Sequence, residues 1–209
     1  RLALPHAHWT GTVHHGLPRD LTRYYGNPNG GYLAFLGRIS PEKGPERAIA
    51  IAKRVGMRLR IAAKVDRVDE AYFEREIRPL LDHPLIEWVG EIGEHQKPDF
   101  LGNAHALLFP VNWPEPFGLV IIEAMSCGTP TIAYRCGSVP EIIEDGVNGY
   151  VVDDEDGAAE ALARVDALDR EQVRACFERR YTAERMTDDY LRIYQRLKGS
   201  HDDRVRRAA

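Results

Sequence analysis

Two short segments of the chain carry side chains able to hold a phosphorylated ligand. Residues 37–44 read Gly-Arg-Ile-Ser-Pro-Glu-Lys-Gly, so Arg38 and Lys43 share one short connection. Arg38 offers a planar fork of N–H donors and Lys43 a compact ammonium, a combination suited to the separated oxygens of a diphosphate. Residues 110–118 read Pro-Val-Asn-Trp-Pro-Glu-Pro-Phe-Gly and lead into an apolar stretch. Prolines at 110, 114 and 116 hold that loop extended, which puts Glu115 before a helix and Glu123 inside it. The step from Gly118 to Glu123 is about 7.5 Å at the helical rise, so the two carboxylates can address different parts of one elongated ligand. Free amides at Gly118 and Leu119 would point between them, and a helix N-terminus favours phosphate. Glu123 is flanked by Ile121, Ile122, Ala124 and Met125. A carboxylate in so apolar a stretch is costly to bury unless bonded, and a ribose diol supplies two donors.

The same residues admit a plainer account. Ser40 could cap a helix that Pro41 starts, with both cations solvated beside Glu42 and Glu46. Glu115 could be a helix-dipole charge, and Glu123 could face solvent or cap a neighbouring backbone group. Residue types alone leave these alternatives open.

The elements that must position these groups follow from the hydrophobic pattern. Short apolar runs at 32–36, 59–63, 86–89, 106–109, 131–134 and 150–152 read as buried strands. Amphipathic stretches at 44–55, 70–81, 96–103, 118–126 and 139–144 lie between them and read as helices. Strand and helix alternating in this way imply an α/β domain, a doubly wound parallel sheet of about six strands with helices on both faces. In such sheets ligands bind beyond the carboxyl ends of the strands, where both segments fall. Residues 156–167 and 171–197 read as further helices, and 200–209 as a charged, frayed tail. Residues 1–31 read as an irregular lead-in, with one strand candidate at 11–15. The expected division is a lead-in at 1–31, a nucleotide-binding core at 32–167 and C-terminal helices at 168–209.

Composition narrows the function classes. Of the 209 residues 44% are hydrophobic and 29% charged, ordinary for a globular protein, and no apolar run approaches a membrane span. A net charge of -4 gives no global pull toward nucleic acid. Cys127, Cys136 and Cys176 form no CxxC pair, and this odd count fits packing residues in a reducing, cytoplasmic setting. The chain opens on Arg1 with neither methionine nor targeting pattern, which reads as a piece of something longer.

Residues 115–153, EPFGLVIIEAMSCGTPTIAYRCGSVPEIIEDGVNGYVVD, resemble the donor-site signature of group-one, family-four retaining glycosyltransferases, and GRISPEKG resembles their diphosphate loop. The likeness runs from about Thr12 to Ala167. It implies the C-terminal half of a two-Rossmann-domain (GT-B) enzyme that transfers a sugar from a nucleoside diphosphate sugar. By that resemblance Arg38, Lys43 and Glu115 are the catalytic set: Arg38 and Lys43 bind the diphosphate, and Glu115 contacts the transferred sugar. Glu123 then binds the ribose, amides of Gly118 and Leu119 complete the phosphate cradle, and Glu91 and Ile92 approach the base through backbone. Gly37, Phe117 and Val120 complete the implied lining. Residues 136–141 resemble a second family loop that often begins Gly-Gly, with Ser138 here in the second place. A tight turn and cap before the next helix explain that segment better than direct catalysis. VHHGLP, residues 13–18, resembles the crossover between domains, so the acceptor-binding N-terminal domain is expected elsewhere, and with it the acceptor and any membrane association. The resemblance implies no metal and no cofactor.

Other signals are weaker. His6, His8, His14 and His15 lack a ligand spacing and read as surface or interdomain residues. Asp154, Glu155 and Asp156 spell DxD, a metal signature of another glycosyltransferase architecture, but they open a helix and read as a cap. Trp9, Trp88 and Trp113 read as packing residues, with Trp113 alone near the expected site. The absence of GxGxxG and of a Walker A ending disfavours dinucleotide enzymes and ATPases. A non-catalytic nucleotide-binding module and a sugar-nucleotide epimerase of related fold remain as alternatives.

Overall fold

The computed structural model describes residues 6, 7 and 9–208, with side chains described through residue 199. Six parallel strands form one sheet: β1 (Tyr32–Arg38), β2 (Arg58–Lys64), β3 (Ile86–Gly90), β4 (Ala106–Phe109), β5 (Thr131–Tyr134) and β6 (Gly149–Val152), in the order β3-β2-β1-β4-β5-β6. All six stand where the apolar runs placed them. The sheet is α/β and doubly wound, and its order reverses between β1 and β4, the switch point at which such sheets open a crevice. The opening is visible in the register. β1 pairs with β2 over its whole length, from Tyr32 with Arg58 to Arg38 with Lys64, yet it meets β4 only at Leu33–Ala106 and Ala34–Leu107. Beyond those pairs the two strands part, and the residues after Leu36 and Phe109 are free to line a cleft.

Both faces of the sheet are covered. Alternation along β1 sends Leu33 and Phe35 to one core with Ile49, Leu59 and Ile61, and Tyr32 and Ala34 to another with Leu107 and Ala124. Each large side chain buried in this way contributes roughly 1.5–3 kcal/mol. The helices are α1 (Pro45–Val55), α2 (Glu70–Tyr72), α3 (Lys97–Gly102), α4 (Leu119–Ser126), α5 (Val139–Ile142), α6 (Glu155–Leu162), α7 (Arg170–Arg180) and α8 (Ala183–Ala208). Residues 70–81, expected as one helix, instead run from α2 into a π turn at Phe73–Ile77 and a 3-10 turn at Arg78–Leu80. Pro79 supplies no backbone donor there, so α-helical pairing cannot continue. Residues 156–167 likewise end as α6 and a separate 3-10 turn, Val165–Ala167.

The long helix expected over 171–197 is two helices. It breaks at Tyr181 and Thr182, where Tyr181 is fully buried and leaves helical geometry at φ -134°. The break has a partner. Leu17 N donates to Tyr181 O at 2.9 Å and Ala183 N donates to Leu17 O at 2.9 Å, so the lead-in takes over hydrogen bonds that a continuous helix would make internally. Gly16 lets the chains approach, since a Cβ there would lie 2.2 Å from Thr182 O. The strand expected at 11–15 does not form; the lead-in's extended contact is this isolated bridge at Leu17. The tail expected to fray continues α8 as far as Ala208. α7 packs Val173, Cys176 and Phe177 into a core with Ile121, Ile122 and Met125 of α4, which fixes α4 from behind.

Candidate functional site

Two joined hollows lie at the carboxyl ends of β1 and β4. The first, about 390 Å³, is walled by Arg38, Lys43, Glu115, Phe117, Gly118 and Leu119. The second, about 310 Å³, is walled by Lys64, Glu91, Ile92, Lys97 and Glu123. Leu36, Gly37, Arg38 and Val120 belong to both, so Arg38 stands at the waist of one continuous cleft. The fold thus brings together every residue expected at the site, although they lie up to 86 positions apart, from Gly37 to Glu123.

The first wall is a compact loop. β1 extends two residues past its expected end and carries Gly37 and Arg38 itself. Lys43 N and Gly44 N both donate to Ser40 O, and α1 begins only at Pro45, so Ser40 and Pro41 neither cap nor start a helix. Gly44 sits at φ +70°, where a Cβ would meet Pro110 O at 2.5 Å; only glycine closes this turn against the second loop. Two further bonds join the loops, Arg47 Nε to Pro110 O at 2.9 Å and Asn112 N to Glu42 O at 2.8 Å. Arg38 lies between Glu42 at 2.9 Å and Asp66 at 3.4 Å, with its guanidinium about half exposed. Lys43 crosses the cleft to Glu115 Oε2 at 2.5 Å.

Glu115 is 8% exposed, a carboxylate held in place from several sides. Trp113 Nε1 donates to Oε2 at 2.8 Å, beside the Lys43 ammonium. Glu115 N donates to Trp113 O, and Ser138 N donates to Glu115 O at 2.9 Å. Gly137 takes φ +57° under Glu115, where a Cβ would lie 2.3 Å from Glu115 O. Residues 136–138 therefore form the expected tight turn, and it buttresses Glu115. Ser138 gives no side-chain cap to α5, and its hydroxyl, like that of Ser40, is buried without a partner.

α4 begins at the cleft with an open N-terminus. Its cap residue is Gly118 at φ +82°, no side chain caps it, and its first turn carries no acid. The amides after Gly118 are left for a ligand, and the positive end of the helix dipole faces the hollow. One turn further, Glu123 accepts from Lys97 Nζ at 3.0 Å, and Lys97 also pairs with Glu94 at 2.6 Å. Burial works to lower the pKa of the Lys97 ammonium, but the hydrogen bonds it donates to Glu94 and Glu123, with their negative charge, outweigh burial and hold it above the ordinary lysine value.

Lys97 and His15 are among the residues at this site that escaped sequence reasoning. Lys97 carried a signal: it stands in the first turn of α3, where the helix dipole disfavours a cation, and so needed a partner from elsewhere. His15, expected at the surface or between domains, lines the first hollow edge-on to Phe117 at 4.9 Å, and only the fold brings it there. His14 pairs with Glu141 at 3.1 Å; His8 lies outside the described residues. The DxD segment is a cap, since Asp154 accepts from Gly157 N and Asp156 pairs with Arg54. Among the described residues no cluster of three or more His, Cys, Asp or Glu is arranged to hold a metal ion, and no helix is long and apolar enough to cross a membrane.

Comparison with known proteins places this geometry. The sequence profile described as "Glycosyl transferases group 1" matches residues 25–180. A D-inositol 3-phosphate glycosyltransferase of Saccharomonospora viridis is 35% identical over 183 residues, covering 78% of this chain and 42% of that protein. The enzyme of the same name from Mycolicibacterium smegmatis is 32% identical over 142 residues, covering 66% of this chain and 33% of that protein. This chain thus spans less than half the length of either relative. AviGT4, a glycosyltransferase involved in avilamycin A biosynthesis, superposes with TM-score 0.77 at 27% identity, over 89% of this chain and 57% of that one. Anabaena Alr3699/HepE, solved with UDP and glucose, has the same fold, with TM-score 0.76 at 19% identity over 88% of this chain and 56% of that one.

Proposed function

The chain belongs to the group 1 glycosyl transferases, and on that premise we propose that its cleft seats a nucleoside diphosphate sugar for transfer with retention to an acceptor held by a facing domain. In this reading residues 32–167 are the donor-binding domain, residues 1–31 the crossover and 168–209 the helices that return toward that facing domain. The observation that carries the reading is the order of groups along one cleft: Lys43 with Glu115, then Arg38 and the open α4 terminus, then Glu123. That order matches sugar, diphosphate and ribose. HepE was solved with UDP and glucose, so the fold can accommodate a donor of this kind. Glu91 and Ile92, after a Gly90 at φ +77°, flank the hollow in which the base would lie.

As the glycosidic bond breaks, negative charge accumulates on the leaving diphosphate. Arg38, Lys43 and the α4 amides stabilise that charge from fixed positions, and loss of one such donor costs about 2.7–4 kcal/mol of barrier. In the free chain Lys43 is neutralised by Glu115 at 2.5 Å. An arriving phosphate takes a share of that ammonium, and a sugar hydroxyl donates to the carboxylate in return. With two cations and a helix terminus at the diphosphate, the reading needs no metal and no cofactor. Glu123 lies at the ribose end, away from the anomeric carbon, so no pair of carboxyls flanks the scissile bond as in a hydrolase. The test is calorimetric titration of the chain with UDP, GDP, ADP and their monophosphates. Selective binding of one diphosphate, weakened by Arg38→Ala, supports the reading; unchanged affinity in Arg38→Ala and Glu123→Ala would sink it.

A further inference from the structure

The donor-site reading explains Arg38, Lys43, Glu115 and Glu123, but it does not use Trp113, which the sequence marks only as a nearby aromatic. The indole makes two contacts with the groups at the sugar end of the cleft, and the Trp113 backbone makes a third. Its Nε1 donates to Glu115 Oε2 at 2.8 Å, its backbone carbonyl accepts from Glu115 N at 2.7 Å, and the Lys43 ammonium lies 5.1 Å from its ring centre. The Phe109 ring centre lies 5.9 Å from the same ammonium. Oε2 therefore takes two donors, one neutral and one cationic. Oε1 takes none among the described residues, yet it is not one of the side-chain oxygens sealed from solvent.

An ammonium on a flexible stem can follow a carboxylate as it rotates, because it attracts as a point charge. An indole N–H cannot, since it lies in the plane of a rigid ring whose backbone is itself hydrogen-bonded to the residue it addresses. The two donors on Oε2 thus restrict rotation of the carboxylate, and they leave Oε1 as the oxygen without a partner. A carboxylate held this way accepts from a sugar hydroxyl at a single position, and a sugar that puts its hydroxyl elsewhere leaves a desolvated oxygen unpaired.

We propose that Trp113 is a positioning residue that orients Glu115 and so sets which sugar the cleft accepts. The proposal rests on the donor-site reading and adds to it a determinant of sugar selection. Trp113 is 36% exposed, so its replacement is compatible with folding. The experiment compares the unaltered chain with Trp113→Phe, which keeps a ring beside Lys43 and removes the donor. Each is titrated with UDP, UDP-glucose, UDP-galactose, GDP and GDP-mannose. The unaltered chain is expected to bind one sugar nucleotide more tightly than its free diphosphate and than its epimer. In Trp113→Phe that sugar advantage is expected to fall roughly tenfold, the effect of one hydrogen bond to a charged group, with the free diphosphate unchanged. Retention of the advantage in Trp113→Phe overturns the role of Trp113 alone. So does an equal loss for diphosphate and sugar nucleotide, which would make the indole a mere support for the loop. Failure of the unaltered chain to bind any of these ligands, or ADP or ADP-glucose, overturns the donor-site reading and the proposal together.

Discussion

Replacing Glu123 by alanine tests the ribose end of the cleft. One carboxylate oxygen is held by Lys97 at 3.0 Å, which leaves the other for a ribose hydroxyl. A hydrogen bond to a charged group contributes about 1.5–3 kcal/mol, so Glu123→Ala should weaken nucleoside diphosphate binding by roughly 10- to 150-fold. The fold should barely notice, because Lys97 keeps Glu94 at 2.6 Å and its ammonium is not stranded. The assay is calorimetric titration of both proteins with the selected ribonucleoside diphosphate and its 2′,3′-dideoxy analogue. The unaltered chain should lose affinity for the analogue, and Glu123→Ala should bind ribo and dideoxy forms alike, since the deleted partners are the same pair. If Glu123→Ala weakens both nucleotides equally, or weakens neither, the carboxylate does not read the ribose and the direction assigned to the cleft is wrong.

Arg38→Ala should weaken diphosphate binding at least about tenfold and monophosphate binding much less, because the guanidinium stands where both phosphates would be shared; titration with UDP and UMP measures the difference. Gly137→Ala should lower stability by roughly 1–3 kcal/mol and abolish any sugar contribution to binding, since its Cβ would collide with the Glu115 backbone from a φ of +57°; thermal melts and titrations read both. Arg170→Met should cost roughly 3 kcal/mol in a urea titration, because the partly buried guanidinium donates to Tyr25 O, Gly102 O, Ala104 O and Thr129 Oγ1. Its pKa is lowered to about 10 by the same burial. Burial pushes the Cys127 thiol from 9.0 up to about 11. Its folded form holds the proton longer than the unfolded form, so its contribution to stability is complete below pH 9 and is lost as pH rises toward 11. Cys127→Ala should flatten that alkaline limb, and at pH 8 a thiol reagent should modify the partly exposed Cys136 first and reach Cys127 only on unfolding.

Much of this protein was determined locally. Strands buried on both faces must be continuous apolar runs, so all six were legible, and with helices between them the parallel, doubly wound sheet followed from connection geometry. The residues that line the cleft could be named from their segments, but their types left plainer uses open, and in the fold Lys43 pairs with Glu115, Arg38 with Glu42 and Glu123 with Lys97. The resemblance carried by residues 37–44 and 115–153 sharpened that reading. Other features were decided only by chain segments far apart in sequence. The break at Tyr181–Thr182 lies in a stretch with helical periodicity, and it exists because Leu17, 165 positions away, supplies the replacement hydrogen bonds. Lys97 found Glu123, Lys43 reached the Glu115 oxygen that Trp113 also addresses, and Gly137 lies beneath Glu115, each because the sheet brings together loops that leave different strands. A sequence records the propensity of each segment, whereas the partner of a buried charge is chosen by whatever donor the packed sheet brings within 3 Å.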